Sequence, residues 1–238
     1  MKTALLFLVI FLQTGTAQVS MGGLRGTPDA IAEAEAMVET MGGKAIWSRM
    51  NSIHFVHEWF FWNRVDSYVE NEILDLTGPR SWIEMKSEVY HRLRAYSPEF
   101  NYWNVINGEF SFGSAEQSRS LVEGAPFHLV RIIKGIAVGD SYYEVRLGKG
   151  EFPDSRQLEF FGPDGTRGSW IILNARKEPV VWAVNDFKYT FGPMKRFGNL
   201  RMPEWAVTGN GAVVYEMISL TGDRNAPDLS LFAPPGHR

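Results

Sequence analysis

From Asn51 onward the polarity of this chain alternates with a period of two: Ile53, Phe55, His57, Trp59 and Phe61 interleave with His54, Val56, Glu58, Phe60 and Trp62. A period of two is that of a strand whose faces differ, and it recurs in segment after segment. The spacing predicts further strands over 67–76, 82–96, 100–107, 141–148, 156–161, 169–175, 179–185 and 212–220. Many are separated by tight-turn chemistry, as at Thr77-Gly78-Pro79, Asn107-Gly108, Gly162-Pro163-Asp164-Gly165 and Gly209-Asn210-Gly211. Strands so close in sequence, joined by such turns, imply an antiparallel meander. In 82–96, Ile83, Met85, Val89, Leu93 and Ala95 alternate with Glu84, Lys86, Glu88, Arg92 and Arg94, which reads as one strand with one wet face. That sheet is expected to be covered on one side only.

Two segments break the alternation. Residues 28–41 read as an amphipathic helix, with Thr27 to cap it, Pro28 at its first position, Ile31, Ala34, Val38 and Met41 on one face, and Gly42-Gly43 to end it. Ser114-Ala115-Glu116-Gln117 matches a capping box and opens a helix toward Glu123, with a second start at Pro126, so 114–138 is a broken helical excursion between strands. Helices against a long antiparallel sheet make the fold class α+β. With no linker, low-complexity tract or repeat, residues 28–238 are expected to form a single domain after a short segment at 18–27.

The first 17 residues have the layout of a signal peptide: Lys2, an apolar run from Ala4 to Leu12, and small residues placed for cleavage after Ala17. The apolar run falls well short of the roughly 20 residues that span a bilayer, and no later stretch could span one. The expected product is periplasmic or extracellular and soluble once the signal is removed. An exported chain with no cysteine relies on packing rather than disulfides, and has neither an acylated lipoprotein terminus nor a thiolate site. With 24 basic against 27 acidic residues, nucleic acid is not the expected partner.

The segment from Ala34 through Met41-Gly42-Gly43-Lys44 to Trp47, running into Ser52-Ile53, resembles the opening of exported proteins in the outer-membrane lipoprotein-sorting carrier (LolA/LolB-like) superfamily. Pro179-Val180-Val181-Trp182-Ala183-Val184-Asn185-Asp186-Phe187 and Gly198-Asn199-Leu200-Arg201-Met202-Pro203 are similar to late strands of those families, and Leu229-Ser230-Leu231-Phe232-Ala233-Pro234-Pro235 to their ends. The resemblance implies a strongly curved antiparallel sheet, an incomplete β-barrel, with helices covering the concave face. Between them it implies a hydrophobic cavity that holds lipid or lipoprotein acyl chains. The carriers' functional arginine is assigned to no residue of this chain.

Catalytic chemistry is sparse. His54 and His57 are three apart on a strand and so point to opposite faces, which does not make a chelating pair. Glu70 and Glu72, or Glu84 and Glu88, share strand faces as a paired acid and base would, but Lys86 between the latter two suggests a solvated charge ladder. There is no G-x-S-x-G elbow, P-loop or dinucleotide fingerprint, so no catalytic residue, metal or cofactor is assigned. Eight Trp, eight Tyr and 16 Phe remain, and they fill a core, line a cavity, or do both. The candidate cavity wall is Phe55, Trp59 and Phe61 from the first strand, and Met85, Val89 and Leu93 from the apolar side of 82–96. Trp103, Trp170 and Trp182 join it from later strands, with Leu129 and Ile133 from the second helical piece. Arg92 and Arg94 read as solvated, a lipid head group at the rim being the alternative. The expected function is non-enzymatic binding of a lipid or other hydrophobic molecule. The alternatives are an envelope protein-interaction or sensing module on the same fold, and a hydrolase of unrecognised type.

Overall fold

The computed structural model describes residues 23–208 and 211–236, so the signal-like segment and its expected cleavage site lie outside the described residues. In chain order the elements are β1 (Arg25–Gly26), α1 (Pro28–Thr40), α2 (Lys44–Trp47), β2 (Ser52–Phe61), β3 (Tyr68–Asp75), β4 (Ser81–Lys86), β5 (His91–Ser97), β6 (Asn101–Ile106) and β7 (Glu109–Phe112). They continue with α3 (Ala115–Gly124), α4 (Leu129–Val138), β8 (Glu144–Gly148), β9 (Arg156–Phe161), β10 (Arg167–Leu173), β11 (Pro179–Val184), β12 (Phe187–Phe191), β13 (Met194–Phe197), β14 (Leu200–Pro203), β15 (Trp205–Thr208) and β16 (Val213–Asp223). A short 3-10 turn at Ala125–Phe127 joins α3 to α4, and another at Leu229–Phe232 follows the last strand.

Among the described residues, 14 strands form one open, curved sheet in the order β1-β8-β9-β10-β11-β12-β15-β16-β2-β3-β4-β5-β6-β7, beside a β13–β14 ribbon. Apart from the two-residue parallel pair β1–β8, the pairings are antiparallel. The fold is α+β, and the sheet is not closed into a barrel. Its two halves meet where β16 pairs with β2 along nearly the whole of both strands, from Val213 opposite Phe61 to Asp223 opposite Ser52. A bulge between Met217 and Ser219 turns Ile218 outward, so that Tyr215, Met217 and Leu220 all stay on the inner, helix-facing side.

The helices form where the capping chemistry puts them. The Thr27 hydroxyl accepts from the Ala30 amide at 3.3 Å, and Ser114 and Gln117 exchange both capping-box hydrogen bonds. α1 buries Ala30, Ala34, Met37 and Val38. α4 is apolar nearly all round and is buried accordingly, packed with α1 and α2 over the inner face. The buried Arg131 guanidinium pins α4 to the β3–β4 hairpin. It donates to the carbonyls of Asp75 (3.0 Å), Arg80 (2.6 Å) and Ala125 (3.1 Å) and to the Tyr96 hydroxyl (3.1 Å).

Two expectations are corrected. The segment 82–96 is a hairpin, β4 and β5 joined through Ser87–Tyr90, and its register sets Ile83 opposite Arg94 and Met85 opposite Arg92. Directly opposed residues share a face, so the turn reverses the parity that a single strand would keep. Arg92 and Arg94 therefore stand with Ile83 and Met85, while Leu93 and Ala95 stand with Glu84 and Trp82. The sheet is also covered on more than one side: the chain's end crosses the outer face of β4 and β5, and Trp103 Nε1 donates to the Phe232 carbonyl at 2.7 Å, both side chains fully buried.

Candidate functional site

Beyond the amino-terminal end of α4 the inner face is left unfilled, and a cavity of about 820 Å³ opens between β2–β5, β11, β12 and β16. Two others, of about 580 and 430 Å³, lie over the outer face near Asp228 and beside α2. The cavity of about 820 Å³ falls within the roughly 300–1,000 Å³ usual for small-molecule sites.

Cross-strand register lays out its wall. Phe55, Glu72, Ile83 and Arg94 lie in one row across β2 to β5; His57, Glu70 and Met85 lie in the next; Tyr215, Trp59 and Tyr68 lie in a third. β11 and β12 bring Trp182 and Tyr189 to face them, and α4 begins beside His128 and Leu129. Six rings join in a closed circuit of stacked, tilted and edge-on contacts: Trp182 to Tyr189 (5.2 Å between centroids), Tyr215 (6.3 Å), His57 (4.6 Å), Phe55 (5.4 Å), His128 (6.3 Å) and back to Trp182 (5.2 Å). The Trp182 indole is fixed by its N–H bond to Ser169 Oγ at 3.0 Å, and that hydroxyl donates to the Ala183 carbonyl.

Polar atoms in this wall lack partners among the described residues. Trp59 Nε1, His57 Nδ1, His128 Nδ1 and Arg94 Nε are all buried without a hydrogen bond. Glu70 Oε1 comes no nearer than 3.8 Å to His57 Nδ1, beyond hydrogen-bond reach. Burial, reinforced by Glu70, holds the Glu72 carboxyl above the usual carboxylate range, against the opposing pull of His57, Arg94 and the Ser81 hydroxyl. Burial, then Arg131 and His57, pushes the His128 imidazole down to about 3. Burial raises the Tyr68, Tyr189 and Tyr215 phenols, Tyr189 to about 12. At neutral pH His128 and these tyrosines are uncharged hydrogen-bonding groups beside Glu70, Glu72 and Arg94.

Of the candidate wall, Phe55, Trp59, Phe61, Met85, Leu129 and Trp182 line this cavity. Five candidates stand elsewhere. Val89 is 74% exposed in the β4–β5 turn, and Leu93 is turned to the outer face by the parity reversal. Trp103 is under the chain's end on that outer face. Ile133 is enclosed in the helix–sheet core, and Trp170 is on the outer side of β10, where Lys188 Nζ sits 5.3 Å from its ring. The sequence patterns did not mark Glu70, Glu72 or His128 as wall residues, and offered Arg94 only as the alternative of a head-group contact at the rim. The signal for the glutamates was their phase, since Tyr68 and Leu74 alternate in step with them along β3 and both are buried. His54 and His57 are on opposite faces, and among the described residues no group of three metal-ligating side chains forms.

The chain matches no known family model, and no curated protein matches it in sequence. Among solved structures it is similar to a DUF1329 family protein from Desulfovibrio piger, at 11% identity and a TM-score of 0.40, covering 87% of this chain and 100% of that one. It is similar also to the MucA/MucB complex of Pseudomonas aeruginosa, at 11% identity and a TM-score of 0.30 over 87% of this chain and 61% of that one. A crystal structure of MucB aligns at 14% identity and a TM-score of 0.24, covering 88% and 64%. These likenesses are distant at most. Among the described residues no helix is long and apolar enough to cross a membrane.

Proposed function

We propose that this chain is an exported, non-enzymatic binding protein that holds an amphiphilic, largely apolar molecule in the cavity between sheet and helices. The observation that carries this reading is the cavity itself: about 820 Å³, walled by aromatic and aliphatic side chains, with buried polar atoms left unpartnered inside it. A filled core would leave no such space, and an empty one would strand those groups at a cost of about 1–3 kcal/mol each. An acyl chain entering gains about 0.8 kcal/mol per methylene before the costs of association. The signal-like amino terminus supports export.

Protein purified from its native compartment is expected to carry an extractable amphiphile detectable by mass spectrometry. The emptied protein should bind a hydrophobic fluorescent probe that palmitate displaces. Met85→Trp, placed to fill the cavity, should weaken the probe at least tenfold while leaving the far-ultraviolet spectrum intact. Protein that is empty as isolated and binds no probe would sink the idea.

A second reading, a protein-interaction module, is favoured by one feature outside the cavity. β7 is a free sheet edge whose Phe110 and Phe112 are 44% and 59% exposed, the kind of edge that an extended segment of a partner can extend.

A further inference from the structure

Resting on the amphiphile reading, we infer that the cavity selects a zwitterionic head group, one that carries an anionic oxygen group and an ammonium a few ångströms apart on a single apolar chain. The wall presents opposite charges that have not paired with each other. Glu70 and Glu72 stand two residues apart on the inner face of β3, and among the described residues no Lys or Arg comes within ion-pairing distance of either. Glu70 is 4% exposed and His57 beside it 7%, and the His57 Nδ1 atom that faces Glu70 has no hydrogen bond. Arg94 lies in the same row as Glu72 with Ile83 between them, which puts the two backbones about 10 Å apart. Its guanidinium donates to no described residue, and its Nε is buried. Its neighbour Arg92, by contrast, donates to the Tyr102 hydroxyl at 2.7 Å and is partly satisfied.

Each class of singly charged head leaves half of this wall unanswered. A carboxylate or phosphate alone would meet Arg94 and the unpartnered Trp59 indole N–H, yet would sit against two glutamates. An amine alone would satisfy the glutamates and rest on the faces of Trp59, Tyr68 and Tyr215, which is favourable for a cation, but would leave the guanidinium unpaired and repelled. A neutral head would leave the half-buried Arg94 guanidinium and the buried Glu70 carboxyl without an oppositely charged partner. A head with both charges places its anionic oxygens on Arg94 and its ammonium between Glu70, Glu72 and the rings.

The test uses four amphiphiles with a 16-carbon chain, lysophosphatidylethanolamine, palmitate, hexadecylamine and hexadecanol, competed against a fluorescent probe on the full-length mature protein. The zwitterion is expected to bind at least tenfold more tightly than each of the other three. Arg94→Met should reduce it to the level of hexadecylamine, and the near-isosteric pair Glu70→Gln with Glu72→Gln to the level of palmitate. Each variant is checked by near-ultraviolet circular dichroism, and the glutamine pair tests the proposal by itself if Arg94→Met does not fold. Four affinities within threefold of one another, or a singly charged amphiphile binding tightest, would overturn the head-group inference and leave the cavity reading standing. Failure of all four to bind would remove both.

Discussion

His128 sits at the head of α4 between Phe55 and Trp182, its Nδ1 unpartnered and its imidazole held neutral down to about pH 3 by burial, by Arg131 and by His57. In the unfolded chain a histidine titrates near 6.5. Between those two values the unfolded state binds a proton that the folded state refuses, so stability is full above pH 6.5 and is lost as pH falls toward 3, at about 1.4 kcal/mol per unit. Urea unfolding at pH 7.0 and 5.0 should therefore show an acid loss of about 2 kcal/mol in the native chain that His128→Gln abolishes. Equal losses in both proteins would mean that His128 protonates in place without penalty. At this scale the sequence was informative where parity ran unbroken. Phe55, Trp59 and Phe61 share the inner face of β2 because nothing interrupts the alternation from Ser52 to Phe61. Arg94 was hidden because the Ser87–Tyr90 turn carries no Gly or Pro, and the apolar rhythm passes through it without a visible break.

At the scale of the element, α4 depends on a glycine in its interior that propensity alone would disfavour. A Cβ on Gly135 would meet the ring of Tyr143, whose hydroxyl is fixed by donating to the Pro126 carbonyl at 2.6 Å. Alanine there gains about 1 kcal/mol of helix propensity but forces an overpacked contact that typically costs 1–3 kcal/mol. Gly135→Ala should accordingly destabilise the protein by about 1 kcal/mol in urea titration, and Gly135→Ala with Tyr143→Phe should recover most of it, since the freed ring can shift. A stabilised single variant would contradict this packing. The helices were legible because capping is a local code, readable in Thr27-Pro28 and in Ser114 with Gln117. The strands between Asn185 and Gly209 were not, unlike β16, whose longer run was readable as 212–220. β12 to β15 are four or five residues each, too short to establish a period, and each is held by its neighbours in the sheet or ribbon rather than by its own pattern.

For the whole molecule the consequence of leaving the sheet open is two edges, and they are treated differently. The β1 edge is two residues long and is tied down by Arg25, which donates to the carbonyls of Ser141 and Tyr142. The β7 edge carries Phe110 and Phe112 in edge-to-face contact with each other, 5.0 Å between centroids, on the outer side that Trp103 also occupies. Exposed apolar side chains beside unpaired strand amides are a template for another chain, which is why most free edges carry lysine or proline instead. Phe110→Lys with Phe112→Lys should leave the fold and the cavity's affinity for a fluorescent amphiphile unchanged, because both side chains are across the sheet from the ring circuit. Light scattering on a concentration series should then show less self-association than the native chain. If a protein partner is recruited at this edge, the same pair of substitutions should abolish its capture while Arg94→Met should not. Loss of capture by Arg94→Met with the edge variant still competent would move the interaction to the cavity side of the sheet.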